Sequence, residues 1–254
     1  MKLAIIGGSL CNRLDQLENP QTETIHTPYG EASAGFVSGK IGGLDVVYLN
    51  RHGNGHQFAP HQINYRANLF ALKLLDVTDI IAVAAVGGIT GAMAPMKIVI
   101  ADQVIDYTHG RAQTYNDIKD DSVNHIDFSW PFDEGLRLQL ISAAENTALA
   151  HETVATYGAT QGPRLESIAE IRRMRRDGCD IVGMTGMPEA SLARELGMAY
   201  ANLSLVVNWA AGADPAQQGE RAGGIAMDEI RRLMEKGDGL IQRMLEQLFD
   251  QFDR

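Results

Sequence analysis

The sequence predicts an α/β fold, a single domain in which a mixed, largely parallel sheet is flanked by helices. Three observations carry this expectation. Short β-branched apolar runs alternate with longer stretches of helical periodicity along the whole chain. The strand-like runs are almost continuously apolar, as in IAVAAV at 81–86, the pattern of strands covered on both faces. No linker, repeat or low-complexity segment interrupts the 254 residues, so one domain is expected over 1–254.

In chain order, strands are expected at Leu3–Ile6, Val46–Leu49, Ile80–Val86, Ile98–Val104, Val154–Tyr157, Asp180–Val182 and Tyr200–Val207. Helices are expected at about 61–75, 133–148, 166–176, 188–196 and 226–250. The last of these places Met227, Ile230, Met234, Ile241, Leu245 and Leu248 on one stripe, which predicts an amphipathic helix packed on the core. The segment 106–132 breaks the pattern. It is long, polar and spotted with aromatics, and loops of that length in compact domains are functional or form an interface.

Composition narrows the partners. Hydrophobic residues make up 45% and charged residues 21%, enough apolar mass for a sizeable core. A formal charge of −10 with no long basic run argues against nucleic acid or an anionic membrane surface as partner. An anionic substrate would have to be held locally, by backbone N–H groups and a few Arg or His side chains. The two cysteines, Cys11 and Cys179, are far apart and form no CxxC, which excludes a disulfide framework or zinc site and fits a reducing cytoplasm. The first residues lack the pattern of a secretory signal, and no run approaches the roughly 20 apolar residues of a membrane helix.

In an open α/β sheet, ligands bind beyond the carboxyl ends of the strands. Polar and glycine-rich residues gather there in strand after strand: Gly7-Gly8-Ser9, Arg51-His52-Gly53, Gly87-Gly88, Thr160–Glu166, Gly183-Met184-Thr185 and Asn208. Gly7-Gly8-Ser9 can turn backbone N–H groups and a hydroxyl toward an anion. Arg51 adds a guanidinium fork, His52 a second donor and Thr185 a hydroxyl. Together they suggest a site for phosphate or a phosphate-like anion. Asn208 is the odd member. The apolar run Leu205-Val206-Val207 ends in a neutral amide, a residue that also commonly closes strands as a turn.

The blocks IIGGS (5–9), NRHGNGHQFAPHQINYRAN (50–68), AAVGGI (84–89), TQGPRLES (160–167) and GMTGMPEASLA (183–193) resemble the trimeric purine nucleoside phosphorylase and methylthioadenosine phosphorylase family. Their order and spacing agree over nearly the whole chain. The resemblance implies a homotrimer with sites near the subunit interface. It also implies phosphorolysis of a purine nucleoside with inorganic phosphate as co-substrate, and without metal or organic cofactor. It assigns phosphate contacts to Ser9, Arg51, His52, Thr185 and the backbone around Ala85, and sets Met184 against phosphate and ribose. The chain departs from the family at Ala84, where Ser or Thr is usual, so one hydroxyl donor to phosphate is missing.

Specificity within the family is carried by few residues. Its 6-aminopurine enzymes have Asp at the position of Asn208 and a second Asp two residues on, where this chain has Ala210. A carboxylate only accepts hydrogen bonds, whereas an amide offers an NH2 to a 6-oxo oxygen and a C=O to N7–H. Glu166 stands where 6-oxopurine enzymes keep Glu, and its carboxylate can accept the N1 proton. Mispairing of this kind can cost about 10⁴–10⁵ in discrimination. Both positions favour a 6-oxopurine. On the 5′ side, Met227 lies nearest the place of a His that serves the 5′-hydroxyl of inosine and guanosine, and it suits a methylthio group instead. His125 matches a family His that reaches the 5′ pocket of the neighbouring subunit. Catalysis is then expected from Asn208, which would stabilise the departing base, with His52 and His56 as candidates to relay protons. The alternatives are a general inosine/guanosine phosphorylase, a methylthioadenosine phosphorylase, a hydrolase using water in place of phosphate, and a silent nucleoside-binding protein.

Overall fold

A computed structural model describes residues 1–116, 124–215 and 227–252. The first strand, β1 (Lys2–Gly7), lies parallel to both β4 (Leu44–Asn50) and β5 (Asp79–Gly88). Its alternate residues serve two cores. Ala4 and Ile6 face one side with Ile80, Ala82, Ala84 and Val86 of β5, and Leu3 and Ile5 face the other with Ile81 and Val83. Both faces are covered, which is why these strands read as unbroken apolar runs. The longest strand, β11 (Ala199–Trp209), runs parallel to β5 along ten paired positions.

The helices divide between the faces. α1 (Tyr65–Leu74) and α4 (Gly186–Glu195) cover one, whereas α2 (Glu134–Thr147) and α5 (Met227–Phe252) cover the other. Caps set several of their starts. The Asn64 side chain accepts from Ala67 N at the head of α1, and that of Asp133 from Leu136 N at the head of α2. Ser167 and Glu170 form a capping box on α3 (Ile168–Asp177), which ends at Gly178 with φ 98°. The stripe expected on the last helix is present and divides in two. Ile241, Met244, Leu245 and Leu248 are fully buried, while Met227 at the other end is exposed.

Several boundaries differ from the sequence reading. The strand expected at Ile98–Val104 is two, β6 (Ile98–Ile100) and β7 (Gln103–Asp106). Asp102 separates them by accepting Ala155 N at 2.7 Å, and the chain passes from β11 and β8 (His151–Glu152) to β9 (Thr156–Ala159). The strand expected at Val154–Tyr157 therefore begins two residues later, and Val154 is solvent-exposed. The helix expected at 61–75 splits into a 3₁₀ turn at Pro60–Gln62 and α1, with Asn64 between as cap. Three strands lie outside those expected, the two-residue β8 among them. β2 (Glu18–Glu23) is polar and wholly exposed, and contains a proline that only an edge accommodates. It pairs antiparallel with β3 (Phe36–Ile41), which joins it to β4.

A discontinuity in the sheet interrupts this regular pairing. On the side away from β11, β5 pairs with β1 only as far as Ala82, and the antiparallel β10 (Ile181–Gly183) takes over at Gly87. Among the described residues, none pairs as a strand with 83–86 on that side. Just beyond β1, the chain turns so tightly that a Cβ on Gly7 would lie 1.9 Å from the Cys11 carbonyl oxygen. Gly7→Ala is therefore expected to cost about 1–3 kcal/mol through backbone displacement. Urea unfolding measures it, and an unchanged midpoint would show that the 8–11 loop yields freely.

Candidate active site

A cavity of about 550 Å³ opens at the gap in β5, between the carboxyl ends of the parallel strands. Its size suits a small organic substrate. Ser9, Arg51, His52, Ala85, Glu166, Met184, Thr185, Asn208 and Met227 all line it, so nine residues singled out from sequence converge. His125 is exposed and does not line this cavity.

At one end the residues fit an anion. Arg51 follows β4 and is almost fully buried. Its Nε and Nη2 donate to the two carboxylate oxygens of Glu189 at 2.8 and 2.7 Å. Nη1 donates to the carbonyls of Val83 at 3.1 Å and Gly7 at 3.4 Å. Four of the five guanidinium hydrogens are thereby engaged, which leaves one on Nη2. The expectation of a two-pronged fork on phosphate is corrected. The fork grips Glu189, a carboxylate with no solvent exposure, whose charge offsets the desolvation of the buried guanidinium. Burial works against the Arg51 charge, and the Glu189 carboxylate outweighs it, holding the guanidinium above its ordinary pKa. Tyr200 of β11 donates to the same carboxylate at 2.9 Å.

His52 also differs from expectation. Its Nδ1 lies 2.8 Å from the Phe58 carbonyl, which can only accept, so Nδ1 carries the proton. Burial lowers the ring's pKa to about 4 against the pull of the Phe58 carbonyl, and the nearby Arg51 charge lowers it further. The neutral ring presents Nε2 as an acceptor, not the second donor read from sequence. A partner there must bring its own hydrogen, as hydrogenphosphate does. Gly8 packs against both groups: a Cβ on it would meet His52 Cδ2 at 3.1 Å and Arg51 Nη1 at 3.2 Å. Backbone donors complete this end. The Val83 carbonyl faces Arg51, so strand alternation turns the Ala85 N–H to the same side, into the cavity. Thr185 occupies the N-cap position of α4 without making a capping bond and sits beside the Tyr157 hydroxyl. Ala84 lines the cavity and supplies no hydroxyl.

The opposite end is built by β11 and the 160–166 loop. Asn208 belongs to the strand rather than to a turn after it. Between Val206 and Asn208 the register with β5 skips one residue, a bulge that re-aims the side chain. Asn208 Nδ2 donates to the Trp209 carbonyl at 2.7 Å, which fixes the amide plane and leaves one N–H and the C=O for a ligand. Glu166 precedes the cap of α3 instead of lying in its first turn, and it is half-buried. Thr160 Oγ1 donates to Glu166 Oε1 at 2.6 Å and orients the carboxylate. Along a third wall, Met227, Ile230 and Met234 of α5 present one apolar stripe, with Met184 also lining the cavity.

Glu189 and Thr160 were missed as functional positions, although both stand in blocks already picked out. Their signals were present: an acid set among Met187, Pro188, Ala190 and Leu192, and a hydroxyl at a strand end six residues before Glu166.

The buried pair generates a stability test. Glu189→Ala strands an unpaired guanidinium and is expected to cost about 3–5 kcal/mol in urea unfolding. Glu189→Gln is expected to fold and to raise the KM for phosphate. Wild-type stability and KM in both variants would contradict the pairing. His52 generates a pH test. Its folded pKa, about 4, lies below the 6.5 of an unfolded histidine, so the unfolded chain binds the extra proton between these values. Its contribution is fully present above pH 6.5 and lost as the pH falls toward 4. Wild type is expected to lose more stability than His52→Gln over that interval. Equal losses would mean the ring is not held neutral.

Comparison with known proteins places the chain in a family. A model of the phosphorylase superfamily matches residues 2–246. A protein of Xanthomonas campestris pv. campestris named probable S-methyl-5'-thioinosine phosphorylase is 50% identical over 216 residues, 85% of this chain and 86% of its own length. The 6-oxopurine nucleoside phosphorylase of Pyrococcus furiosus is 46% identical over 83% of this chain and 80% of its own. A solved methylthioadenosine phosphorylase from Schistosoma mansoni in complex with adenine superposes with a TM-score of 0.90 at 28% identity, covering 99% of this chain and 92% of that one. Family model, curated relatives and superposed fold agree over most of its length, and the chain belongs to the phosphorylase superfamily.

Proposed function

We propose that the chain is a pentosyltransferase that phosphorolyses S-methyl-5'-thioinosine to hypoxanthine and 5-methylthioribose 1-phosphate, in purine and methylthio salvage. The observation that carries the reading is that Asn208 and Glu166 line the same cavity, together with apolar residues of α5. The amide gives an N–H to O6 and a C=O to N7–H, and the carboxylate takes the N1 proton. An adenine would set its N1 lone pair against Glu166 and its amino group against an N–H. The thioether of Met227, with Ile230 and Met234, favours a methylthio group over a hydroxyl that would be buried without a partner, at about 1–3 kcal/mol. Relatives bearing the matching name support this substrate.

A phosphate oxygen bonds to C1′ as the C1′–N9 bond breaks through an oxocarbenium-like ribosyl group, and the departing base takes a proton at N7 from solvent. Ser9, Thr185, the Ala85 N–H and the remaining Arg51 N–H hold the anion, and His52 Nε2 accepts a hydrogen bond from the phosphate hydroxyl. Asn208 stabilises the charge that develops on the departing base. No metal or organic cofactor enters, and phosphate is a co-substrate. The working unit is a homotrimer of one-domain subunits in the cytoplasm, with His125 reaching the 5′ pocket of the adjoining subunit. The described residues contain no helix long and apolar enough to cross a membrane.

A second reading, a general 6-oxopurine nucleoside phosphorylase, is favoured by the exposure of Met227 and by the Pyrococcus relative's name. Release of free base from inosine, adenosine and their 5′-methylthio forms, with and without phosphate, separates them. S-methyl-5'-thioinosine is expected to give the highest kcat/KM, and only with phosphate. A strong preference for inosine would establish the second reading, and turnover without phosphate a hydrolase. Asn208→Ala is expected to lower kcat by about 10²–10³, and a near-normal kcat would remove Asn208 from catalysis.

A further inference from the structure

The long segment after β7 contributes one buried cation that takes no part in the proposed phosphorolysis. Arg111 is nearly inaccessible to solvent. Among the described residues, its hydrogen-bond partners include no carboxylate. Instead Nη1 donates to the carbonyls of Met184 at 2.9 Å and Met187 at 2.6 Å. Nη2 donates to those of Thr160 at 3.1 Å and Gln161 at 2.8 Å, and Nε to Gln161 Oε1 at 3.2 Å. The guanidinium also stacks over the Tyr65 ring at 5.5 Å, and the Tyr65 hydroxyl donates to Pro60 at the cavity wall. All five N–H groups are engaged on two neighbouring segments, each leading to a residue that lines the cavity. Thr160 holds Glu166 through its hydroxyl, and Met184 leads directly into Thr185.

We propose that Arg111 is a positioning residue that locks the 160–161 and 184–187 loops into one frame, setting the base-reading carboxylate and the anion-binding hydroxyl at a fixed separation. This rests on the reading of the cavity as a nucleoside phosphorylase site. A planar fork of five donors spans four carbonyls at once, whereas a lysine has three donors on a flexible stem. With Lys the carbonyls are partly orphaned and the loops part. Both ends of the site then lose register together, although Arg111 touches neither substrate.

The test compares wild type, Arg111→Lys, Arg111→Gln and Thr160→Val, each checked for folding by circular dichroism at 25 °C. For each, kcat/KM is measured with 6-oxopurine and 6-aminopurine nucleosides, together with the KM for phosphate. In Arg111→Lys, kcat/KM is expected to fall about 10²-fold, the scale of a displacement near 1 Å. The ratio of 6-oxo to 6-amino turnover is also expected to shrink, and the phosphate KM to rise. Thr160→Val cuts only the last link to Glu166, so the ratio is expected to shrink without a change in phosphate KM. A folded Arg111→Lys with wild-type ratio and phosphate KM overturns the proposal. So does a loss of activity that only tracks the unfolded fraction. Should the Arg111 variants not fold, an unchanged ratio in Thr160→Val overturns it. Absence of phosphorolysis in wild type would instead defeat the functional reading, and this inference with it.

Discussion

The ion pair between Arg51 and Glu189 is the interaction on which the site depends. Through one guanidinium it joins the end of β4, the Gly7 carbonyl that closes β1, the Val83 carbonyl of β5 and the first turns of α4. Tyr200 brings β11 into the same cluster. Such a pair is a weak source of net stability, because desolvating both charges cancels most of their attraction, and apolar residues of equal volume would do as well. What apolar residues would not supply is a fixed N–H at a break in the sheet. The guanidinium cannot swing, so its last donor keeps one direction before any anion arrives, and preorganised donors need no rearrangement during reaction.

That break has its own cause. β1 stops at Gly7 because the chain must turn within van der Waals contact of the Cys11 carbonyl, and β10 enters from the opposite direction at Gly87. The edge of β5 between them would be an unpaired row of backbone groups. Arg51 takes the Val83 carbonyl, and the cavity takes the rest. Across β5, the extra residue in β11 repeats the device. Pairing is lost at Val207, and Asn208 turns to the cavity. Both ends of the site therefore come from irregularities in otherwise regular strands, held by pairing on the far side.

This explains which parts of the protein were legible in its sequence. Strands such as Leu3–Ile6 and Ile80–Val86 declared themselves because burial on both faces leaves an apolar run with no competing pattern. β2 did not, because an exposed edge strand has no burial to imprint on ENPQTE. The site residues were readable by kind, since glycine, Arg, His and Asn gathered at the same end of strand after strand, more than turns alone require. Their bonding was not. Nothing local to Arg51 says that its fork is spent on a residue 138 positions away, or that His52 gives its Nδ1 proton to Phe58. The long polar segment was marked for a role, and Arg111 rather than His125 is what it brings to the loops of this subunit's cavity.

On the proposed function, the two ends of the nucleoside would be read by different physics, and the difference sets how selective each can be. Asn208 and Glu166 are fixed polar groups on a strand and a pinned loop, so a base of the wrong pattern leaves them unpaired, a penalty that reaches about 10⁴–10⁵. Met227, Ile230 and Met234 form an apolar stripe on a helix, and contacts of that kind discriminate by only about 10–200-fold. Met227 is 50% exposed, so an apolar group bound against it would cover further area, which enlarges the apolar gain and not its directionality. On the proposed function, the base would be chosen by exclusion and the 5′ group by preference. Such a site would reject adenine nucleosides sharply while grading 6-oxopurine nucleosides by the apolar surface of their 5′ substituents.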